Sequence, residues 1–241
     1  MPTEPPAEQL PARTAAVWAA LDPVVGAGTA VRVLDVGGGS GMFAVPLARL
    51  GHTVTVVDPS ADALATLHRR AQTAGVGQRV RGVQGDGDLL HEVLADDGGY
   101  DLALCHSVLE VVDDPAVTLR EISGAVRSGG QVSLAVANRA GAVFARALAG
   151  HPADALALLA DRGPIPGRPV RRRFTPDALL ALVDGAGLDA GAWRGVSVVA
   201  DLLEAASGAD PSDVRTLELA LAGASPYREV AAGLHLLATR P

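Results

Sequence analysis

The chain has 241 residues and a formal net charge of −7, and hydrophobic residues make up 49% of it. This length fits one large domain, or a domain with a cap, and the apolar content is enough for a substantial core. The acidic balance disfavours a nucleic-acid partner, which usually needs a basic face. No apolar run reaches the roughly 18 residues of a membrane span, and the proline-rich segment 1–12 does not resemble a signal peptide. We therefore expect a cytoplasmic protein without a membrane segment.

The single cysteine, Cys105, cannot form an internal disulfide. It lies in an apolar stretch, which favours a small core residue over a nucleophile. Cysteine and histidine nowhere occur at the spacing of a zinc site, so no metal is expected.

Predicted strands and helices alternate from residue 30 onward. The strands are expected at 30–36, 53–57, 79–84, 100–105 and 131–137, with a last, antiparallel strand at 232–239. The helices are expected at 42–50, 61–74, 115–126, 153–159 and 176–187. Ser60 is the expected N-cap of the second helix. This alternation predicts a parallel sheet with right-handed crossovers, and such sheets bind ligands at the carboxyl ends of their strands.

The most informative segment is a glycine cluster directly after the first strand. It comprises Gly37, Gly38, Gly39 and Gly41 and follows the acid Asp35. Glycine is needed where the backbone takes a positive φ or lies against a ligand, and the start of the next helix offers free N–H groups. A phosphate-binding P-loop would need a lysine, which the chain lacks. A dinucleotide fingerprint would need a third glycine at position 42.

Polar residues also end the next three strands. Asp58 lies about 20 residues past the glycine cluster, where a carboxylate can accept hydrogen bonds from both hydroxyls of a ribose. The third strand leads into Asp86 and Asp88, and the fourth ends at His106. Because the carboxyl ends of parallel strands meet at one edge of a sheet, these residues are expected to converge on one site.

The Asp-x-Gly-x-Gly-x-Gly pattern of residues 35–41 resembles the first motif of class I S-adenosylmethionine-dependent methyltransferases. The resemblance implies an α/β, Rossmann-like, doubly wound and mostly parallel sheet of seven strands with a helical cap. Residues 1–241 would form a single domain, with 25–138 as the cofactor-binding core. Residues 139–175 and 201–227 would form the cap and the substrate side.

The same resemblance implies S-adenosylmethionine as the cofactor, bound at the strand ends. The residues implied are Arg13, Asp35, Gly37, Gly38, Gly39, Gly41, Asp58, Pro59, Asp86, Gly87 and His106. In this family an acid at the third strand accepts a hydrogen bond from the adenine amino group, and we prefer Asp86 to Asp88 for that role. Arg13 is the candidate for a bidentate bond to the cofactor's carboxylate, although it also fits a surface arginine of a helix.

Later segments resemble the bacterial tRNA 5-carboxymethoxyuridine methyltransferases. They are His106-Ser-Val-Leu-Glu-Val-Val-Asp-Asp-Pro, the stretch 138–150 and the stretch 217–227. This resemblance implies that the acceptor is the carboxylate of a modified wobble uridine in tRNA. The chain departs from the pattern at Ala137, where the family has an aromatic residue, and at Ser197 and Ala200, where its sixth strand carries basic residues.

A basic loop lies between the fifth strand and the helix at 176–187. It contains Arg162, Arg168, Arg171, Arg172 and Arg173. The loop fits a phosphate-binding arm and fits equally well an ordinary solvated loop. The candidate substrate-binding residues are Asn138, Arg139, Arg171, Arg172, Arg173 and Tyr227.

The acceptor determines whether a base is needed. A carboxylate is already ionised at neutral pH, whereas a hydroxyl or an amine must lose a proton. His106 is then the candidate general base, and it also fits a packing residue beneath the cofactor. Two alternatives to a tRNA enzyme stay open: a small-molecule O- or N-methyltransferase, and a cofactor-binding protein without turnover.

Overall fold

The computed structural model describes residues 11–26, 28–94, 99–160, 171–204 and 208–241. Within these ranges, eight strands form one sheet. They are β1 (Arg32–Val36), β2 (Thr53–Asp58), β3 (Val80–Gln84), β4 (Tyr100–His106), β5 (Val126–Ala137), β6 (Asp189–Ala190), β7 (Arg194–Val196) and β8 (Gly233–Thr239). The α-helices are α1 (Ala15–Val25), α2 (Ala44–Arg49), α3 (Ala61–Thr73), α4 (Leu90–Val93), α5 (Pro115–Ala125), α6 (Arg139–Leu148), α7 (Pro152–Leu159), α8 (Pro176–Gly185), α9 (Ala200–Glu204) and α10 (Pro211–Leu221).

The strand order confirms the Rossmann-like, mostly parallel sheet. It runs β3-β2-β1-β4-β5-β8-β6, with β7 also beside β8. Strands β1 to β5 pair in parallel, and β8 is antiparallel to β5, as the sequence predicts. The order reverses between β1 and β4, which is where open α/β sheets bind ligands.

The predicted count of seven strands needs a correction at the sheet edge. Both β6 and β7 pair antiparallel with β8, so they share one strand position. Ala190 faces Ala238 while Arg194 faces His235, which leaves three residues, 191–193, opposite two, 236–237. This extra residue is a β-bulge, and it divides the edge strand into two short pieces.

The two faces of the sheet carry separate apolar layers. Val33 packs with side chains of α1, α2 and α3, including Leu21, Leu47 and Leu67. Leu34, the next residue of β1, packs on the other face with side chains of α5 and α8. Successive strand residues point to opposite faces, so a strand that is buried on both sides must be apolar at nearly every position. The near-continuous apolar run of β1 follows because helices cover both faces of the sheet at this strand.

Element boundaries differ from the predictions at two places that bear on the site. Helix α2 begins at Ala44 rather than at residue 42, because the glycine turn extends through Phe43. Helix α5 ends at Ala125, and β5 already begins at Val126 instead of residue 131. Val126 is fully buried and pairs with Tyr100, so packing draws it into the sheet. The predicted N-cap is confirmed, since the Ser60 hydroxyl accepts a hydrogen bond from the N–H of Ala63 at 3.2 Å.

Helices α6 and α7 pack against each other after β5, and α10 packs against α1. They occupy the stretches that the sequence assigns to the cap. In the ranges that the structure describes, no helix combines the length and the apolar character needed to cross a membrane.

Candidate cofactor and substrate site

The glycine cluster forms a tight turn between β1 and α2. Gly37, Gly39 and Gly41 have φ angles of +66°, +54° and +82°, a region that other residues rarely adopt. A Cβ atom on Gly37 would overlap with the side chain of Val108, two residues after β4, and one on Gly38 would overlap with the carboxylate of Asp35. The glycines therefore let the turn lie directly on its neighbours, and they leave backbone groups facing the carboxyl edge of the sheet.

Asp58 at the end of β2 is tied to this turn. Its Oδ2 accepts a hydrogen bond from the N–H of Gly39 at 2.9 Å, and its Oδ1 accepts one from the N–H of Ser60 at 2.9 Å. An ionised carboxylate has about four acceptor positions, so each oxygen can still accept another bond. The two backbone bonds fix the carboxylate in one orientation, which suits recognition of a vicinal diol.

A cavity of about 320 Å³ opens at the same edge. Five predicted cofactor residues line it: Gly37, Asp58, Pro59, Asp86 and Gly87. Val57, Val108 and Val111 supply apolar walls. The combination of apolar walls with carboxylates at two strand ends is suited to a nucleoside, whose base is flat and whose sugar carries hydroxyls.

The two acids after β3 differ in what they bind. The Asp88 carboxylate accepts a hydrogen bond from the hydroxyl of Thr118 on α5. Within the part of the chain that the structure describes, Asp86 accepts a side-chain hydrogen bond from the N–H of Asp88, at 3.2 Å. Both acids line the cavity, so the preference for Asp86 as the acid that faces a bound base stays a prediction.

Asp35 lies beneath the turn and is almost completely buried. Burial, and secondly the negative charge of Asp58, raise the pKa of Asp35 from 3.8 to about 7. The carboxyl group of this motif can consequently hold a proton near neutral pH.

His106 lies at the end of β4, on the face of the sheet that α1 covers. Its ring contacts the Phe43 ring edge-on, with 4.6 Å between centroids, and Phe43 in turn stacks on Trp18 at 5.0 Å. Its Nε2 lies 2.9 Å from the hydroxyl of Ser133. Burial lowers the pKa of His106 to about 4, so the ring is neutral at physiological pH.

The predicted substrate residue Asn138 has a different role in the structure. Its Oδ1 caps α6 by accepting from the N–H of Ala140, and its Nδ2 donates to the carbonyls of Glu229 and Ala231. The side chain is 1% exposed. Because backbone groups occupy the amide, Asn138 fixes the junction between β5, α6 and the turn before β8 instead of presenting its amide to a substrate. We correct the prediction of a direct contact accordingly.

The basic loop is only partly described, since Arg162 and Arg168 lie outside the described residues. Arg172 donates from its guanidinium to the carbonyls of Val112 and Asp113, and its N–H donates to the carbonyl of Glu110. These bonds fasten the segment to the chain after β4 and use two of the five N–H groups of the Arg172 guanidinium. A contact of Arg172 with a phosphate stays a prediction. The guanidinium of Arg173 donates to the carbonyl of Arg171 at 3.3 Å.

The structure also gives the positions of three residues that were predicted to bind the cofactor or the substrate. Arg13 forms an ion pair with Asp201 at 2.7 Å, so a bond to the cofactor's carboxylate would have to compete with that contact. Tyr227 is exposed, in the turn that precedes β8. Arg139 is the first residue of α6, after the Asn138 cap. Their contacts with ligands stay predictions.

Sequence reasoning assigned no role to Glu110, Ser133 or His235, which the structure places beside the site. The Glu110 carboxylate is buried and accepts a hydrogen bond from the N–H of Ala137 at 2.8 Å. Burial raises the pKa of Glu110. Glu110 belongs to the motif that begins at His106. Ser133 and His235 begin two further segments, Ser133-Leu and 235–241, that resemble the same family. Among the described residues, no three side chains are grouped as a metal site would require.

Comparison with known proteins agrees with this geometry. Residues 34–134 match the family model of the methyltransferase domain. A ubiquinone biosynthesis O-methyltransferase from Xanthomonas oryzae pv. oryzae is 37% identical over 134 residues, or 55% of this chain and 53% of the relative. The chain thus spans about half the length of the curated relatives it matches.

Solved structures share the fold over most of the chain. Magnesium protoporphyrin IX methyltransferase from Synechocystis PCC 6803, with bound S-adenosylhomocysteine, superposes with a TM-score of 0.62 at 15% identity, covering 95% of this chain and 83% of that one. The [4+2]-cyclase SpnF gives a TM-score of 0.62 at 20% identity, covering 95% and 80%. The match to the methyltransferase domain thus covers residues 34–134. The fold of the chain is shared with methyltransferases crystallised with S-adenosylmethionine or S-adenosylhomocysteine.

Proposed function

We propose that the protein is an S-adenosylmethionine-dependent methyltransferase that methylates a hydroxyl oxygen of a small, largely apolar molecule. The observation that carries the proposal is His106, a buried and neutral imidazole at the end of β4, beside the glycine turn. A hydroxyl must lose its proton to attack a methyl group, and a neutral imidazole can accept that proton. The O-methyltransferase relatives support the same reaction class.

The residues of the carboxyl edge fit the proposed cofactor. Asp58 would accept hydrogen bonds from the ribose hydroxyls, and Asp86 would accept one from the adenine amino group. The glycine turn would let the backbone lie against the amino-acid part, and the valines of the cavity would pack on the base. When bound, the cofactor supplies a methyl group on a positively charged sulfur. The protein's task is then to hold the acceptor oxygen in line with that methyl group, which can contribute ~7–11 kcal/mol.

The cap supports an apolar acceptor. Phe144 and Leu148 are exposed and one turn apart on α6, and Leu156 and Leu159 are exposed on the neighbouring α7. Helix α6 begins where β5 ends, at the edge that carries the cofactor residues. Exposed apolar side chains in such a group mark a ligand or partner surface more often than isolated ones do.

Methylation of a wobble uridine in tRNA is the second candidate, favoured by the motif resemblance past residue 100. Its support in the structure is weaker, because Arg172 binds carbonyl groups of the chain itself. The net charge of −7 also opposes a polyanionic partner. The two candidates differ chemically, since a carboxylate acceptor needs no base and a hydroxyl does.

The test is transfer of labelled methyl from S-adenosylmethionine, offered in parallel to apolar phenols and catechols and to total tRNA. We expect label in the phenols, and we expect His106→Gln to lower that rate by ~10²–10⁴-fold with unchanged cofactor affinity. His52→Gln is the matched control, because His52 is a buried histidine held by Val25 and Val31 at the other edge of the sheet.

Two other outcomes of the methyl-transfer test would each favour a different function. Label found only in tRNA, and released by mild alkali, would overturn the proposal in favour of the wobble-uridine carboxylate. Cofactor binding without label in either acceptor would favour a cofactor-binding protein without turnover.

A further inference from the structure

Ser133 joins two buried histidines in one hydrogen-bonded chain. Its Oγ lies 2.9 Å from Nε2 of His106 on β4 and 2.9 Å from Nε2 of His235 on β8. The strand register explains the contact, because both histidines face Ala135 of β5, two residues after Ser133. All three side chains therefore share one face of the sheet.

The hydroxyl of Ser133 fixes how protons are distributed along this chain. A hydroxyl carries one proton, so it can donate to one imidazole and must accept from the other. The two rings consequently have opposite tautomers. The Nδ1 atom of each ring is buried and has no hydrogen-bond partner among the described residues. Nδ1 is therefore unprotonated in one ring and protonated in the other.

A second cavity lies beside the far end of the chain, where His235 is buried. We call it the lower cavity; it has a volume of about 620 Å³ and is lined by His235, Gln131, Arg194 and Leu237 of the sheet together with residues of α1. Asp101 and Arg127 also line it, at the start of β4 and β5, so it opens at the edge opposite the cofactor cavity. Gln131 Oε1 is buried there without a partner among the described residues. A roomy cavity with several polar groups is a place for water.

We propose that His106, Ser133 and His235 form a proton relay that carries the acceptor's proton from the methyl-transfer site to water in the lower cavity. The inference rests on the proposed function, since only an acceptor that loses a proton needs such a route. His106 would contact the acceptor, and Ser133 and His235 would act through it.

For a hydroxyl acceptor, one proton enters the relay at His106 and one leaves it at His235. His106 would take the O–H proton at Nδ1, once the bound acceptor reaches this buried atom, as the acceptor oxygen takes the methyl group. The electron pair of the former C–S bond would stay on the cofactor's sulfur. His106 releases its Nε2 proton to Ser133, whose own proton passes to Nε2 of His235. His235 would release its Nδ1 proton to a water of the lower cavity when motion of the ring opens a path to this buried atom. After product release, exchange with water at both ends returns the rings to their first tautomers.

The burial of both rings gives the relay its advantage. Burial lowers the pKa of His106 to about 4, and burial together with the charges of His106 and Arg194 lowers the pKa of His235 to about 3. A proton kept on either ring would be unfavourable at neutral pH. A concerted transfer leaves both rings neutral throughout.

The test compares acceptors of different acidity. Ser133→Ala and His235→Gln should lower kcat by ~10²-fold for a phenol with a pKa of about 10, and should leave kcat nearly unchanged for an electron-poor phenol that is already ionised. Cofactor affinity and KM should stay the same. Ser133→Thr, which keeps the hydroxyl, should retain activity. Ser123→Ala, at a buried serine of α5 away from the relay, is the control.

The relay would be overturned if Ser133→Ala and His235→Gln lowered kcat equally for both phenols, or lowered it for neither. If only His106→Gln lowered kcat, and Ser133→Ala and His235→Gln did not, the relay would be overturned and the proposed function would stand. Failure of the unaltered protein to methylate any phenol would instead overturn the proposed function, and the relay with it. A measurement without variants uses mixtures of H₂O and D₂O: a curved fall of kcat with deuterium content supports several protons in flight, and a linear one contradicts it.

Discussion

Asp35 offers the sharpest test of the electrostatics at the cofactor turn, through the variant Asp35→Asn. The carboxyl group is 3% exposed, lies beneath Gly38, and has its pKa raised to about 7 by burial and by Asp58. Asparagine has the same shape and no charge. The variant therefore removes the cost of ionising this buried group and changes the packing little.

The raised pKa of Asp35 fixes the sign and the size of the expected change in the free energy of unfolding. Between pH 4 and pH 7 the folded protein holds a proton on Asp35 that the unfolded chain has released, so the wild type loses stability as the pH rises through this window. A shift from 3.8 to about 7 corresponds to about 4 kcal/mol at most. Asp35→Asn should match the wild type near pH 4 and exceed its free energy of unfolding by up to that amount at pH 8.

Urea unfolding followed by circular dichroism across pH 4–8 measures this difference. Asp101→Asn is the matched control with the opposite sign. Although burial opposes the effect, hydrogen bonds from the N–H of Arg32 and from the guanidinium of Arg127 lower the pKa of Asp101. That variant should lose stability at pH 8 and match the wild type at low pH. The reasoning would be refuted if Asp35→Asn followed the same pH dependence as the wild type.

Three further outcomes are expected. Asp58→Ala should weaken S-adenosylmethionine binding by ~1–3 kcal/mol in calorimetry, and an unaltered affinity would contradict the ribose assignment. The buried Glu218 carboxylate accepts N–H bonds at 2.9, 2.6 and 2.6 Å from residues 198–200, so Glu218→Ala should lower the free energy of unfolding by ~3 kcal/mol, and an unchanged urea midpoint would contradict it. Burial raises the pKa of the Cys105 thiol, so a thiol reagent should label it only as fast as the protein unfolds; rapid labelling of native protein would show that the thiol is accessible.

Much of the cofactor side could be predicted from the sequence because its signals are local. The glycines of the turn lie next to the strand they follow, and their positive φ angles are what such a cluster indicates. Asp58 and Asp86 come at the ends of apolar runs, and parallel strands bring those ends together. The sequence thus determined the fold class, the parallel pairing of the sheet with its antiparallel last strand, and five residues that line the cavity at the carboxyl edge.

Tertiary structure alone decided what the substrate side does. The amide of Asn138 is bound by carbonyls 91 and 93 residues away, and Ser133 meets His106 and His235 across separations of 27 and 102 residues. The bulge between β6 and β7 likewise follows from pairing with β8. Periodicity and turn chemistry describe near neighbours in the chain, whereas the partner of a buried polar group depends on which distant strands lie side by side and in which register.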